Sequence, residues 1–367
     1  MSLGGEGARP AQRGGDSSAP APVGYHGLCV CLSARSAGSG ALSPFRGCSV
    51  VRTGLTRDRP PLVCITGATA SGKSSLALQI AEVLEAEILS VDSMQVYRGF
   101  DIGTAKPSRE EQELIVHHGI DLVEPHESFS AGAFADYAHD VLATARAAGR
   151  TVLAVGGTGL YLKALLYGLS PSTPGDPVLR DQLRREEAAE PGSLLRRLRS
   201  VDPETAARLH PNDLVRVERA LEVFLVTGTT QAQWVQQHGF GDAPYRPLVF
   251  GLQRPREELR ARMEERIDTM MAAGWVDEVR ALLAAGVTEE MTPMKALGYR
   301  EICQYLRSEI DDQELRRRIA VVCHRFAKRQ GTWFNREQSI EWLEPDRGLA
   351  SQLALRIREF LDGVRDA

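Results

Sequence analysis

The chain has 367 residues, 43% hydrophobic and 25% charged, with a formal net charge of −4. That composition fits a soluble globular protein with room for one large domain or two ordinary ones. It excludes a uniformly basic nucleic-acid protein but leaves room for a local basic face. No run of 18 apolar residues occurs, so no membrane span is expected, and the six cysteines contain no C-x-x-C pair, which argues against zinc and suits a reducing cytoplasm.

Residues 1–60 are rich in Gly, Ser, Ala, Pro and Arg and keep no helical or strand period, so a disordered leader is expected. The same acid-poor composition also suits an organelle transit peptide or a start assigned too far upstream. From residue 61 the pattern becomes α/β. The strand-like run Leu62–Thr66 feeds Gly67-Ala68-Thr69-Ala70-Ser71-Gly72-Lys73-Ser74, and a helix-like run over 75–84 leaves it. This is G-x-x-x-x-G-K-S in its strand–loop–helix context. Backbone N–H groups and the helix N-terminus would cradle phosphates, Lys73 would neutralise charge, and the Ser74 hydroxyl would ligate Mg²⁺. A ligand-free glycine turn is the bland reading.

A second strand over 86–91 ends at Asp92-Ser93-Met94-Gln95-Val96-Tyr97. Ligands of open α/β sheets bind beyond strand C-termini, which gives Asp92 an address beside the phosphate loop. A turn-forming Asp–Ser pair would look the same. The loop Asp101–Pro107, a helix and His117-His118 follow, and adjacent His residues make a poor metal pair. A helix over 134–148 precedes the apolar strand 151–155, which stops at Gly156-Gly157-Thr158-Gly159-Leu160-Tyr161. Glycines there predict close approach of a ligand, or a plain β–α turn. Prolines and glycines over 168–177 mark a boundary, and 171–245 reads as a helical insertion with a charged stretch over 179–198. Arg216 and Arg219 share a helix face behind the N-cap candidate Asp213. A strand over 248–252 returns the chain to the sheet, so the core is expected over 61–170 and 246–345, with a C-terminal helix or tail over 346–367. A helix over 256–274 puts Arg262 and Arg266 on one side. From Leu315 to Arg336 there are seven Lys/Arg, no acid, and the aromatics Phe326, Trp333 and Phe334. Charge interleaved with π-faces suits unpaired RNA; a solvated basic helix is the alternative.

These motifs, with His210–Asp213, Arg219–Val223, Leu297–Arg300 and Ala327–Phe334, resemble in order the tRNA dimethylallyltransferase (tRNA isopentenyltransferase) family over about 61–345. The resemblance implies a P-loop NTPase-like parallel sheet flanked by helices, and transfer of a dimethylallyl group from dimethylallyl diphosphate, with diphosphate released. The acceptor is N6 of the adenosine 3′ of the anticodon, so tRNA through its anticodon stem-loop is the implied partner. By similarity Gly67 to Ser74, Arg262 and Arg266 hold the diphosphate with Mg²⁺ on Ser74. Asp92 is the base, and Lys73 and Thr158 complete the catalytic set. By the same similarity, tRNA contacts come from Asp92, Ser93, Met94, Gln95, Thr158 and Arg180. The insertion adds Val215, Arg216, Val217, Glu218 and Arg219. The C-terminal part adds Lys295, Ala296, Leu297, Gly298, Tyr299, Arg300, Lys328, Arg329, Gln330, Thr332, Trp333, Phe334 and Asn335. Cys323-His324 replaces the family's usual Thr-Arg, and Asn335 stands where Arg is common. With no Cys after 323, the bacterial-type architecture without a zinc finger is expected, as a cytoplasmic monomer. A small-molecule P-loop kinase, an adenylate isopentenyltransferase and a non-catalytic RNA-binding NTPase are the competing readings.

Overall fold

The computed structural model describes residues 59–168, 175–238 and 243–363, and the expected leader lies outside these described residues except for its last two. Strand β1 (Pro61–Gly67) alternates Leu62 and Cys64 into one core and Val63 and Ile65 into another. Period-two alternation with both faces apolar makes a strand that must be covered on both sides. Helix α1 (Lys73–Leu84) and strand β2 (Glu87–Ser90) follow. A capping box of Ser108 and Glu111 starts α2 (Arg109–Leu114), which leads to the two-residue β3 (His117–His118). Then come α3 (Ala131–Ala147), β4 (Val152–Gly156) and α4 (Gly159–Tyr167).

The charged stretch over 179–198 is carried by two helices, α5 (Pro177–Ala189) and α6 (Ser193–Val201), separated at Pro191-Gly192, where Gly192 has φ 84°. Two short helices that the sequence reading did not anticipate, α7 (Pro203–Arg208) and α9 (Gln231–His238), flank α8 (Leu214–Thr227). These helices bury a core of their own, built on Leu183, Leu194, Leu198, Val217 and Leu221.

Strand β5 (Arg246–Leu252) rejoins the sheet, followed by α10 (Arg256–Ala272), α11 (Trp275–Ala284), α12 (Tyr299–Leu306) and α13 (Asp312–Phe334). An unanticipated edge strand β6 (Ile340–Leu343) precedes α14 (Leu349–Asp362). The sheet is parallel throughout, in the order β3-β2-β4-β1-β5-β6. Leu76 and Ile80 of α1 pack with Leu353 and Ile357 of α14 on one face. Phe134, Leu165, Ile319 and Phe334 fill the other. Because β4 lies between β1 and β2, the carboxyl ends of all three open onto one place.

Candidate active site and RNA face

At the end of β1 the chain turns through the phosphate loop with Ala70 at φ 63° and Gly72 at φ 97°. Gly72 is the residue that ends the turn and starts α1, a left-handed position that glycine adopts without a Cβ penalty. Three distant side chains hold the loop. Arg254 Nε donates to the Ser71 carbonyl at 2.8 Å, and Arg262 Nε donates to the Ala70 carbonyl at 3.0 Å. The Thr69 amide donates to Gln330 Oε1 at 2.8 Å. The Ser71 hydroxyl is buried without a hydrogen-bond partner. Arg254 was missed by sequence reasoning, yet it lies two residues beyond β5, next to β1, where a strand-end rule would have looked.

Lys73, Ser74, Arg262 and Arg266 line a cavity of ≈ 950 Å³ whose other walls include Leu78, Ile102, Leu114 and Met270. Among the described residues Lys73 makes one long hydrogen bond, 3.4 Å, to the Ala68 carbonyl. Its amine is pushed down to about 8, first by burial and then by Arg266, against an opposing pull from Asp92. Arg266 is likewise lowered, first by burial. Neither cation has a carboxylate partner at ion-pair distance among the described residues. Two desolvated cations beside a helix N-terminus form a ready anion site.

On the acceptor side, one Asp92 oxygen accepts the Met94 amide at 2.8 Å, the Asx-turn contact of the bland reading, and leaves the second oxygen for other partners. Thr158 Oγ1 accepts the Ser93 amide at 3.0 Å, and the Thr158 amide reaches the Val91 carbonyl at 3.2 Å. Ser90 donates to Gln95 Oε1 at 2.7 Å, and Gln95 Nε2 donates to the carbonyls of Thr104 and Ala105. The loop over 101–107 is anchored from outside. Glu278 accepts the amides of Asp101, Ile102 and Gly103 and the Tyr299 hydroxyl. Buried Lys106 bridges Asp101 and Asp121, each at 2.6 Å.

The glycines after β4 have a different reason from the expected ligand approach. A Cβ on Gly156 would meet the Val91 carbonyl at 2.1 Å, one on Gly157 would meet Gln330 Nε2 at 2.4 Å, and one on Gly159 would meet the Trp333 ring at 2.4 Å. Protein, not ligand, fills that space.

The expected RNA contacts divide by accessibility. Val215, Arg216, Lys295, Arg300, Lys328, Arg329, Thr332 and Asn335 are exposed. Gly298 is buried, and so are Val217, Tyr299, Gln330 and Phe334, whose side chains are committed to packing or internal hydrogen bonds. Leu297, Ala296 and Trp333 are half-buried. Arg180 forks onto buried Glu222 at 2.7 and 3.0 Å, Arg219 reaches the same carboxylate, and Glu218 is taken by Arg184. The basic run of α13 also divides. Arg316 pairs with Asp312 and Asp268, and Arg317 and Arg318 pair with Glu314. By contrast, Arg325, Lys328, Arg329 and Arg336 pair with no carboxylate among the described residues, and Arg329 lies over the Phe326 ring at 5.6 Å.

Residues 95–337 match the family model described as IPP transferase. A protein of Syntrophobacter fumaroxidans named tRNA dimethylallyltransferase is 47% identical over 292 residues, covering 79% of this chain and 85% of its own. One of the same name from Geobacter metallireducens is 48% identical over 288 residues, covering 78% and 93%. Among solved structures, the tRNA isopentenylpyrophosphate transferase of Bacillus halodurans superposes with a TM-score of 0.62 at 33% identity, over 84% of this chain and 99% of that one. A eukaryotic dimethylallyltransferase studied in action on tRNA superposes with a TM-score of 0.71 at 26% identity, over 82% and 79%. With the phosphate loop, the Asp92 strand end and the basic α13 placed as described, the chain belongs to the IPP transferase family.

Proposed function

We propose that this protein transfers a dimethylallyl group from dimethylallyl diphosphate to tRNA, at N6 of the adenosine next to the anticodon, and releases diphosphate. The observation that carries the donor side is a pair of cations, Lys73 and Arg266, without a carboxylate partner among the described residues, on a cavity with apolar walls. A diphosphate supplies the missing negative charge, and Leu78, Ile102, Leu114 and Met270 suit a five-carbon chain.

In the reaction the C1–O bond of the donor breaks and its electron pair leaves on diphosphate. Loop amides, Lys73 and Arg266 hold that charge as it develops. The N6 lone pair forms the new C–N bond, and Asp92 takes the displaced N6 proton through the carboxylate oxygen not engaged by Met94. Thr158, held to Ser93, sets the wall against which the base would stand. Asp92 is half-buried beyond the strand ends, so the adenosine must leave its stack to bring N6 to it.

The Ser74 hydroxyl lines the cavity as a hard oxygen donor and fits magnesium, which usually keeps water and substrate phosphate among its ligands. Bound there, Mg²⁺ would neutralise leaving diphosphate. Among the described residues no helix is long and apolar enough to cross a membrane. We read the protein as a cytoplasmic monomer.

The test is transfer of isotope from labelled dimethylallyl diphosphate into an anticodon stem-loop. Label should appear in N6-dimethylallyladenosine and vanish when the target adenosine is replaced by guanosine. Phosphorylation of a small molecule from ATP, with no transfer to RNA, would contradict the reading.

A further inference from the structure

Gln330 sits in the part of α13 expected to face RNA, yet it is 7% exposed and its carboxamide points inward. Oε1 accepts the Thr69 amide of the phosphate loop at 2.8 Å, and Nε2 donates to the Gly157 carbonyl at 2.9 Å. Both ends of one amide are therefore spent, one on the donor cradle and one on the turn that carries Thr158. From Thr158 the connection continues to Ser93, beside Asp92. On the same helix, Lys328, Arg329 and Thr332 point outward.

We propose that Gln330 is a positioning residue: its carboxamide clasps the phosphate loop to the Gly157–Thr158 turn and so fixes donor C1 against acceptor N6. The proposal rests on the dimethylallyl-transfer reading. Gly157 is part of the device, because only a residue without a Cβ lets Nε2 approach its carbonyl side so closely. Both groups of Gln330 are engaged inside the protein and the residue is buried, which sets its side chain apart from the exposed Lys328 and Arg329. A misplacement of about 1 Å at a reacting centre costs roughly 10²-fold in rate, so a clasp of two hydrogen bonds can matter without touching substrate.

Gln330→Met keeps the side chain's length and apolar volume and removes both hydrogen bonds. The expected result is kcat lowered ~10- to 100-fold, a higher KM for dimethylallyl diphosphate, and tRNA affinity within about twofold of wild type. Gly157→Ala reaches the same contact from the other side and serves if Gln330→Met does not fold. Its Cβ displaces the flexible tip of Gln330 rather than backbone. It should reproduce the split, and the double variant should lose no more than Gln330→Met alone. Weakened tRNA binding with unchanged donor kinetics would make Gln330 an RNA contact and overturn the clasp, as would additive losses in the double variant. Calorimetric titration with dimethylallyl diphosphate separates the two levels of the argument. If wild type binds it and Gln330→Met binds equally well with unchanged kcat, the clasp alone is wrong. If wild type does not bind it, the transfer reading fails and the clasp falls with it.

Discussion

The helical insertion and the second half of α13 are both rich in arginine, but their charges are arranged differently. In the insertion Arg180, Arg184, Arg185, Arg196, Arg197, Arg208, Arg216 and Arg219 each meet a carboxylate of the same region. In α13 the arginines of the first turns are neutralised one turn away, whereas Arg325, Lys328, Arg329 and Arg336 have no carboxylate partner among the described residues. A basic count predicts affinity for RNA only where the positive charge is unspent. The charges of those insertion arginines are neutralised within it, and those of α13 remain available to a phosphate backbone.

Of the variants that compare the two surfaces, the largest effect is expected at the donor end. Lys73→Met should lower kcat/KM for dimethylallyl diphosphate by at least ~10²–10³-fold while tRNA affinity stays near wild type. Steady-state kinetics with a separate RNA-binding assay checks it, and parallel loss of tRNA binding would mean the two surfaces are not independent.

Glu222→Ala sharpens the contrast from the insertion side. Burial alone would raise this carboxyl, but Arg180, Arg219 and the Asp176 amide hold it below its usual range. Removing one partner of a buried pair costs about 3–5 kcal/mol, and here we expect about 2–3 kcal/mol because Arg180 stays 37% exposed. Hydrogen exchange should show lost protection confined to α5–α9, with α1 and α13 unchanged.

Smaller effects compare the two sets of arginines directly. Lys328→Ala and Arg329→Ala should each weaken tRNA binding several-fold and flatten the log–log salt slope by about one unit. Arg185→Ala and Arg196→Ala, which break exposed pairs within the insertion, should leave that slope unchanged. Equal slopes from both sets would erase the distinction.

The smallest effect near neutrality is a pH dependence, about twofold between pH 7 and 8. Burial first, and then Arg266, push the Lys73 amine down to about 8 from the usual lysine range. Below that pH it is charged and binds diphosphate. Above it the neutral form dominates, so donor affinity should fall by up to about tenfold per pH unit, and binding should take up a proton. Calorimetry in buffers of different ionisation enthalpy reads that proton, and Lys73→Arg should flatten the profile.

Much of this was legible in the sequence because it is local. The phosphate loop, Asp92 at a strand end and the apolar β4 depend on neighbours a few residues away. The edge strand β6 was not, because four residues between a helix end and a loop carry no period. The pairing of α13 was half legible: a count that starts at Leu315 leaves out Asp312 and Glu314, which neutralise the first three arginines at i+3 and i+4. Arg180 with Glu222, Glu278 with the 101–103 amides, and Gln330 with Thr69 lie 42 to 261 residues apart. The glycines from Gly156 to Gly159 predict either space for a ligand or a plain turn, because nothing local identifies Val91 and the α13 side chains that fill the space.

The central claim is that chemistry sits at the strand ends, separable from the grip on RNA. Single-turnover transfer by Asp92→Asn, with dimethylallyl diphosphate and tRNA both saturating, tests it most directly. The amide keeps an oxygen for the Met94 contact but cannot take the N6 proton. The account predicts unchanged affinity for both substrates and a chemical step slower by ~10²–10⁴-fold. Transfer at the wild-type rate, or normal chemistry with lost tRNA binding, would contradict it.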